Sequence, residues 1–160
     1  MSSNDQIYKV TSPIYLLRST EQCWKCRAKQ EVVAIAVMQI YSSDSELDKK
    51  VNADAKPFII FYVQEMPQEI FEYICLVHPL FEKRMSKTTE FAYYMNICKC
   101  GAHFGDFYLH QKLGGAFCLM SEEDAMKVSI EKLSFTGTFD FVCEYSIGQG
   151  AFIFDHAQRR

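Results

Sequence analysis

Structure-breaking residues are scarce in this chain, and neither sign of charge is in large excess. Four prolines and seven glycines in 160 residues, never clustered into a rich stretch, leave no Pro/Gly linker, collagen-like tract or low-complexity segment. No internal repeat is visible. The longest apolar runs, around residues 32–38 and 57–63, fall well short of the roughly 20 residues that span a bilayer, so no membrane segment is expected. Residues 1–6 carry neither a basic region nor an apolar one, which argues against a secretory signal and makes the cytoplasm the expected compartment. Lys and Arg number 17 against 20 Asp and Glu, a net charge of -3, so the usual electrostatic argument for nucleic acid or anionic lipid as default partner is missing.

With 49% hydrophobic and 23% charged residues, the composition is that of a soluble globular chain, and its length suits one domain covering residues 1–160. The polar stretch 42–56, SSDSELDKKVNADAK, reads as a surface loop. From Asp44 to Glu72 seven acids stand against Lys49, Lys50 and Lys56, a solvated face or an acidic docking surface.

Strands are expected at 14–18, at 31–41, which is apolar at both parities and so suits burial on both faces, and at 58–64, bounded by Pro57 and Pro67. After Pro67 the period becomes helical: Ile70, Phe71, Ile74, Cys75 and His78 share one face, and Pro79 ends it. Phe91, Tyr93, Met95 and Ile97 alternate with Ala92, Tyr94 and Asn96, carrying a strand straight into Cys98. Ser121 is a good N-cap for a helix over 122–132, with acids in its first turn. Phe139, Phe141, Cys143 and Tyr145 alternate with polar positions as in a half-buried antiparallel strand. Two helices and about six strands, grouped in runs, predict an α+β domain on a mostly antiparallel sheet, carrying a zinc-ribbon-like pair of knuckles.

Seven cysteines, an odd number without a secretory signal, point to ligands and not to a disulfide framework. Cys23-Trp-Lys-Cys26 is a C-x2-C pair at a strand end. Some seventy residues later Cys98-Lys-Cys100-Gly101 offers a second pair, with a glycine to relax the turn. Together Cys23, Cys26, Cys98 and Cys100 can surround one tetrahedral Zn2+. The second pair is one residue shorter than usual, so Cys100-Gly-Ala-His103 is an alternative that would bring in His103 as a ligand. With four protein ligands there is no position for water, and the metal's role is structural. Cys75, Cys118 and Cys143 read as core residues, Asp106 as a turn cap, His78 and His110 as packed histidines and His156 as part of a tail. Trp24 is expected to pack over the first knuckle, and Gly114-Gly115 to form a tight turn.

The Cys23-Trp24-Lys25-Cys26 pair, the segment Asn96-Ile-Cys-Lys-Cys-Gly-Ala-His-Phe-Gly-Asp-Phe-Tyr-Leu-His110, and Gly114-Gly-Ala-Phe117 together resemble a pattern in a family of small, uncharacterised bacterial proteins: CW-x-C, then N-x-C-x2-C-G running into GDF-x-LH. The resemblance implies zinc ligation by Cys23, Cys26, Cys98 and Cys100 and a bacterial source, and it implies no activity. The expected function is a cytoplasmic protein-binding module that neutralises a toxin or effector, since an acidic chain suits a basic protein partner. Two alternatives stand beside it. One is a metal- or cysteine-dependent hydrolase using Asp106, His103 or His110; the other is a nucleic-acid-binding ribbon with a basic face from Lys25, Arg27, Lys29 and Lys99.

Overall fold

A computed structural model describes residues 6–53 and 56–159. The fold is α+β and its pairings are mostly antiparallel. In chain order the elements are β1 (Ile7–Gln22), β2 (Lys29–Tyr41), α1 (Ser45–Asn52), β3 (Phe58–Glu65), α2 (Gln68–Val77), β4 (Phe81–Met85), β5 (Ala92–Ile97), β6 (His103–Phe104), a π-helical turn (Phe107–Gln111), α3 (Glu122–Met126), β7 (Ser129–Lys132), β8 (Thr138–Ser146), α4 (Gln149–His156) and β9 (Gln158–Arg159).

Four strands close on themselves. β1 pairs with β2, β2 with β3, β3 with β8, and β8 returns to β1, every pair antiparallel. Closure removes the unpaired edges that an open sheet of this size would show to solvent. β1 is long enough to serve two partners: Ile7 to Thr11 face β8, and Tyr15 to Arg18 face β7. The break between them falls at Ser12-Pro13, where the register shifts and proline has no N–H to give the ladder. β9 adds to β7 in parallel. A second sheet, β4-β5-β6, lies apart from the barrel strands in hydrogen bonding.

The two-parity run in β2 is explained by what covers its faces. Val33, Ile35 and Val37 belong to one buried cluster with Val10, Leu16, Ile60, Ile70, Ile74 and Phe141. Val32, Ala34 and Ala36 belong to another, with Leu17, Ile59, Phe104, Leu109, Phe117 and Ile153. Successive side chains on a strand point to opposite faces, so a strand packed on both sides must be apolar throughout. Each fully buried Val or Ile here contributes about 1.5–3 kcal/mol relative to exposure. A third cluster, Phe61, Tyr62, Tyr93, Met95 and Ile97, joins β3 to β5.

Asn96 fastens the small sheet to the barrel. β3 pairs with β2 only at Ile35–Val37, so Val33 has no strand partner on that side. The Asn96 side chain fills the gap: Val33 N–H donates to its Oδ1 (2.9 Å) and its Nδ2 donates to the Val33 carbonyl (3.0 Å). Asn96 is only 1% exposed, and the amide reproduces the donor and acceptor of an absent strand.

Several expectations need correction. Residues 42–56 are not simply a loop, because α1 occupies Ser45–Asn52. Asp44 caps it by accepting from the N–H groups of Glu46 and Leu47, both at 3.1 Å, and Asn52 ties it back to both backbone groups of Ile40. Asp54 lies outside the described residues, as do Met1 to Asp5. The helix expected over 122–132 stops at Met126, although Ser121 does cap it at Asp124 N–H. Ser129 to Lys132 instead take up the free half of β1, with Ile130 opposite Leu17. Among the described residues there are five helical segments, not two. His156 lies on α4, its ring 4.9 Å from that of Phe152. Cys143 is in the core, whereas Cys75 and Cys118 are half-buried. No helix of the described residues is long and apolar enough to cross a membrane.

Candidate metal centre

The two cysteine pairs sit on two hairpin turns, one from each sheet. The first turn links β1 to β2. Its ends are held by Cys23 N–H donating to the Ala28 carbonyl (2.9 Å) and Arg27 N–H donating to the Cys23 carbonyl (3.0 Å). Inside it the N–H groups of Lys25 and Cys26 point at the Cys23 sulfur, at 3.4 and 3.5 Å. Arg27 closes the turn with a φ of 67°. The second turn links β5 to β6, with Cys98 N–H donating to Ala102 and Gly101 N–H donating to Cys98, both at 2.8 Å. Gly101 has a φ of 90°. A Cβ there would meet no atom within 4 Å, so its backbone conformation, and not crowding, calls for glycine.

These turns bring Cys23, Cys26, Cys98 and Cys100 together, with all four Sγ atoms within 4.8 Å of one another. Cys23 and Cys100 are 3.7 Å apart at sulfur, Cys26 and Cys98 3.6 Å. Neither separation is a disulfide, which needs about 2.05 Å. Four thiolates held about 2.3 Å from one central ion stand about 3.8 Å from each other, so the spacing fits a tetrahedral metal. The four cysteines form a cluster that can hold a metal ion.

Three side chains staple the turns together without using a sulfur. Trp24 Nε1 donates to the His103 carbonyl (2.9 Å). Gln30 Nε2 donates to the Ile97 carbonyl and its Oε1 accepts from Lys99 N–H, each at 2.8 Å. With Asn96 two residues before Cys98, both halves of the cluster are positioned by the polypeptide itself. His103 is not in the cluster; its place in β6 makes it the acceptor for Trp24. That tryptophan is 57% exposed, so it braces the site from outside and does not bury it.

The electrostatics favour a cation. The Cys23 thiol is drawn down to about 6, first by the Cys26 N–H and then, against desolvation, by the Lys25 N–H and the thiols of Cys98 and Cys100. At Cys98 the Cys100 N–H pulls the same way, but loss of water and the adjoining thiols outweigh it and raise the group to about 12. The Cys23 thiolate forms readily, while Cys98 keeps its proton in hydrogen bonds to its neighbours. A thiol that binds a divalent ion gives up its proton to do so.

Two of the residues assigned to hydrolysis, Asp106 and His110, are buried. Asp106, 5% exposed, accepts Tyr62 N–H on Oδ2 at 2.7 Å, and its own N–H donates to the Tyr93 hydroxyl at 3.0 Å. It precedes the π turn without capping it; instead it supports a β-bulge in β3. Burial raises its carboxyl to about 7 against the Tyr62 N–H. His110 is stacked between Phe61 and Phe117, with centroids 5.4 and 5.2 Å away. Burial depresses it to about 3. Lys25, Arg27, Lys29 and Lys99 are all exposed on or beside the two turns. Sequence reasoning overlooked Gln30, Asn96 and the role of Trp24, although the Asn-x-Cys spacing was a usable signal for Asn96. No family model matches the chain, and no curated protein or solved structure matches it either.

Proposed function

We propose that the chain is a binding protein whose fold is held by a structural Zn2+ ion. The observation that carries this reading is the convergence of Cys23, Cys26, Cys98 and Cys100, two from the barrel and two from the small sheet. All-sulfur donors favour zinc over hard cations, and four protein ligands leave no coordination position for a water. The placement of both pairs on hairpin turns supports a zinc-ribbon-like description. The burial of Asp106 and His110 counts against a hydrolase. A metal that joins two sheets and performs no chemistry serves a surface.

The partner in this reading is a basic protein, a toxin or effector that the chain neutralises in the cytoplasm of a bacterium. Its support is the exposed run of acids on and beside α1 and α2, among them Glu46, Glu69 and Glu72, together with the resemblance of the cysteine and GDF segments to small bacterial proteins. The test is capture by the tagged, zinc-loaded chain at moderate salt, followed by co-expression with the captured protein. One stoichiometric basic protein, lost when Glu69→Lys and Glu72→Lys are combined and no longer toxic when co-expressed with the unaltered chain, is the expected result. Empty capture, or capture indifferent to the charge reversal, refutes it. The exposed Lys25, Arg27, Lys29 and Lys99 support nucleic acid as a second reading. A steep fall of affinity for RNA or DNA with rising salt would favour that reading.

A further inference from the structure

Beside the cysteine cluster, on the far side of Trp24, the surface opens into a cleft of about 590 Å3. That volume lies within the range of small-molecule sites. Five of its lining residues are aromatic, Trp24, Tyr62, Tyr93, Phe107 and Tyr108, and Lys87 and His103 line it with them. No Asp or Glu lines it among the described residues, although the chain as a whole is acidic. Trp24 and Phe107 are 57% and 58% exposed, a large amount of aromatic surface to leave wet around one opening.

The deep wall is built with care. Tyr62 lies in β3 and has a φ of 48°, a left-handed conformation that is unfavourable for a bulky residue. The strand bulges here: Phe61 is opposite Glu144, and the next paired residue, Glu65, is opposite Val142. A single buried carboxylate fixes the arrangement. Asp106 receives the Tyr62 N–H on its side chain, and its backbone N–H goes to the Tyr93 hydroxyl. The two rings then meet edge to face, 5.1 Å apart at 88°. The Tyr62 hydroxyl donates to Gln111 Oε1 at 3.2 Å, which fixes the ring at its other end. Strained backbone, a strand irregularity and a buried acid together fix two largely buried tyrosines that form the floor of the cleft, the kind of local strain that collects at ligand sites.

We propose that this cleft binds a small planar aromatic ring carrying one anionic group, with the ring among the aromatic walls and the anion at Lys87. Aromatic walls recognise a flat π surface. The Lys87 ammonium, with His103 as the other basic group and no carboxylate in the lining, selects a negative substituent. Nucleoside monophosphates and aromatic carboxylates share this chemistry. This assignment goes beyond the protein-binding reading and does not depend on it.

Trp24 is the one tryptophan of the chain and lines the cleft, so its fluorescence reports occupancy directly. The experiment titrates the zinc-loaded full chain with AMP, UMP and indole-3-acetate, and with the uncharged adenosine, uridine and indole-3-acetamide, following calorimetric heat for all six and Trp24 emission for the four that carry no indole of their own. At least one anion is expected to bind with Kd tighter than about 1 mM. AMP or UMP as the ligand assigns the anion to a phosphate, and indole-3-acetate assigns it to a carboxylate. Lys87→Ala should weaken the anion about tenfold and leave its uncharged counterpart unchanged. Phe107→Ala should weaken both forms about fivefold or more. Both side chains are exposed, and an unchanged melting temperature confirms that the variants fold. Leu76→Ala, on exposed α2 surface, is the control that should leave binding intact. Absence of heat with all three anions and of Trp24 response to AMP and UMP overturns the proposal, as does an anion affinity indifferent to Lys87→Ala or to Phe107→Ala.

Discussion

Replacing Cys98 with serine should remove the metal and unfold much of the molecule at ordinary temperature. The reasoning begins with spacing: sulfur separations of 3.6 and 3.7 Å match the edge of about 3.8 Å in a tetrahedral zinc-thiolate site. Serine places a hydroxyl where a thiolate is needed, and a hydroxyl near pH 7 keeps its proton. Structural zinc contributes an apparent 10 kcal/mol or more, roughly, as folding free energy, while a whole domain of this size is stable by about 5–15 kcal/mol. Even a partial loss is therefore comparable to the entire stability. Cys23→Ser, Cys26→Ser and Cys100→Ser should behave alike, because the four sulfurs act as one set. His103→Ala should retain full zinc, since that residue stands outside the cluster, and Cys118→Ser should melt within about 1 kcal/mol of the parent as a substitution away from the site. The assay is zinc content by atomic emission, paired with thermal melting with and without a chelator. Replacing zinc by Co2+ adds a check, because sulfur-to-cobalt charge-transfer bands appear only with thiolate ligation. Cys98→Ser protein that carries one equivalent of zinc and melts with the parent would refute the argument, as would a parent whose melting ignores the chelator.

Further outcomes follow from other contacts. Asn96→Leu removes two buried hydrogen bonds and strands the Val33 N–H and carbonyl, so it should destabilise by about 2–4 kcal/mol and loosen zinc retention, measured by urea unfolding and by metal release. Gly115→Ala would set a Cβ 2.3 Å from the Tyr108 carbonyl oxygen and 2.9 Å from that of Leu109; a loss of about 1–3 kcal/mol in denaturant melts is expected from forced backbone movement. Asp106 is raised by burial to about 7 from an ordinary 3.8, so the unfolded chain releases its proton first and stability falls as the pH rises from about 4 through about 7. Asp106→Asn, which can still accept the Tyr62 N–H, should abolish that loss in melts recorded across the window. His110 works in the opposite sense. Burial holds it at about 3 against an ordinary 6.5, so its contribution is complete above about 6.5 and disappears as the pH falls toward about 3. His110→Phe, in the stack between Phe61 and Phe117, should therefore protect the protein on the acid side, and equal acid sensitivity in parent and variant would count against the assignment.

What could be read from sequence was what depends on neighbours along the chain. The two-residue gap in Cys23-Trp-Lys-Cys26 sets a turn, and Gly101 supplies the positive φ of the second one. The apolar run of β2 stated correctly that both its faces are covered, and Phe141 and Cys143 lie inward as their alternation requires. Long-range partners decided the rest. Nothing in the run 129–132 separates it from the end of α3 until the free half of β1 is known to lie alongside. α1 grows from Asp44, Asp48 and Asn52 bonding to backbone, in a stretch whose apolar face is only Leu47 and Val51. Closure of the barrel needs β3 to meet β8, some eighty residues away, and periodicity carries no information about such pairing. The bulge at Tyr62 was hidden for a related reason: no glycine or asparagine marks the left-handed backbone, because a carboxylate 44 residues further on holds it there.

The order of the strands along the chain bears on how the protein is made. All four cysteines have been synthesised by Cys100, but β8, which completes the ring between β3 and β1, begins only at Thr138. A nascent chain leaving the ribosome can therefore clasp its metal while the barrel is still an open sheet. In that interval β3 and the first half of β1 present unpaired edges, the kind of template on which stray strands assemble. The clasp joins residues 72 apart in sequence, so a metal bound early would hold the β1–β2 turn against the small sheet while those edges wait for their last partner. A message truncated just ahead of Thr138 would yield a metal-loaded product that aggregates.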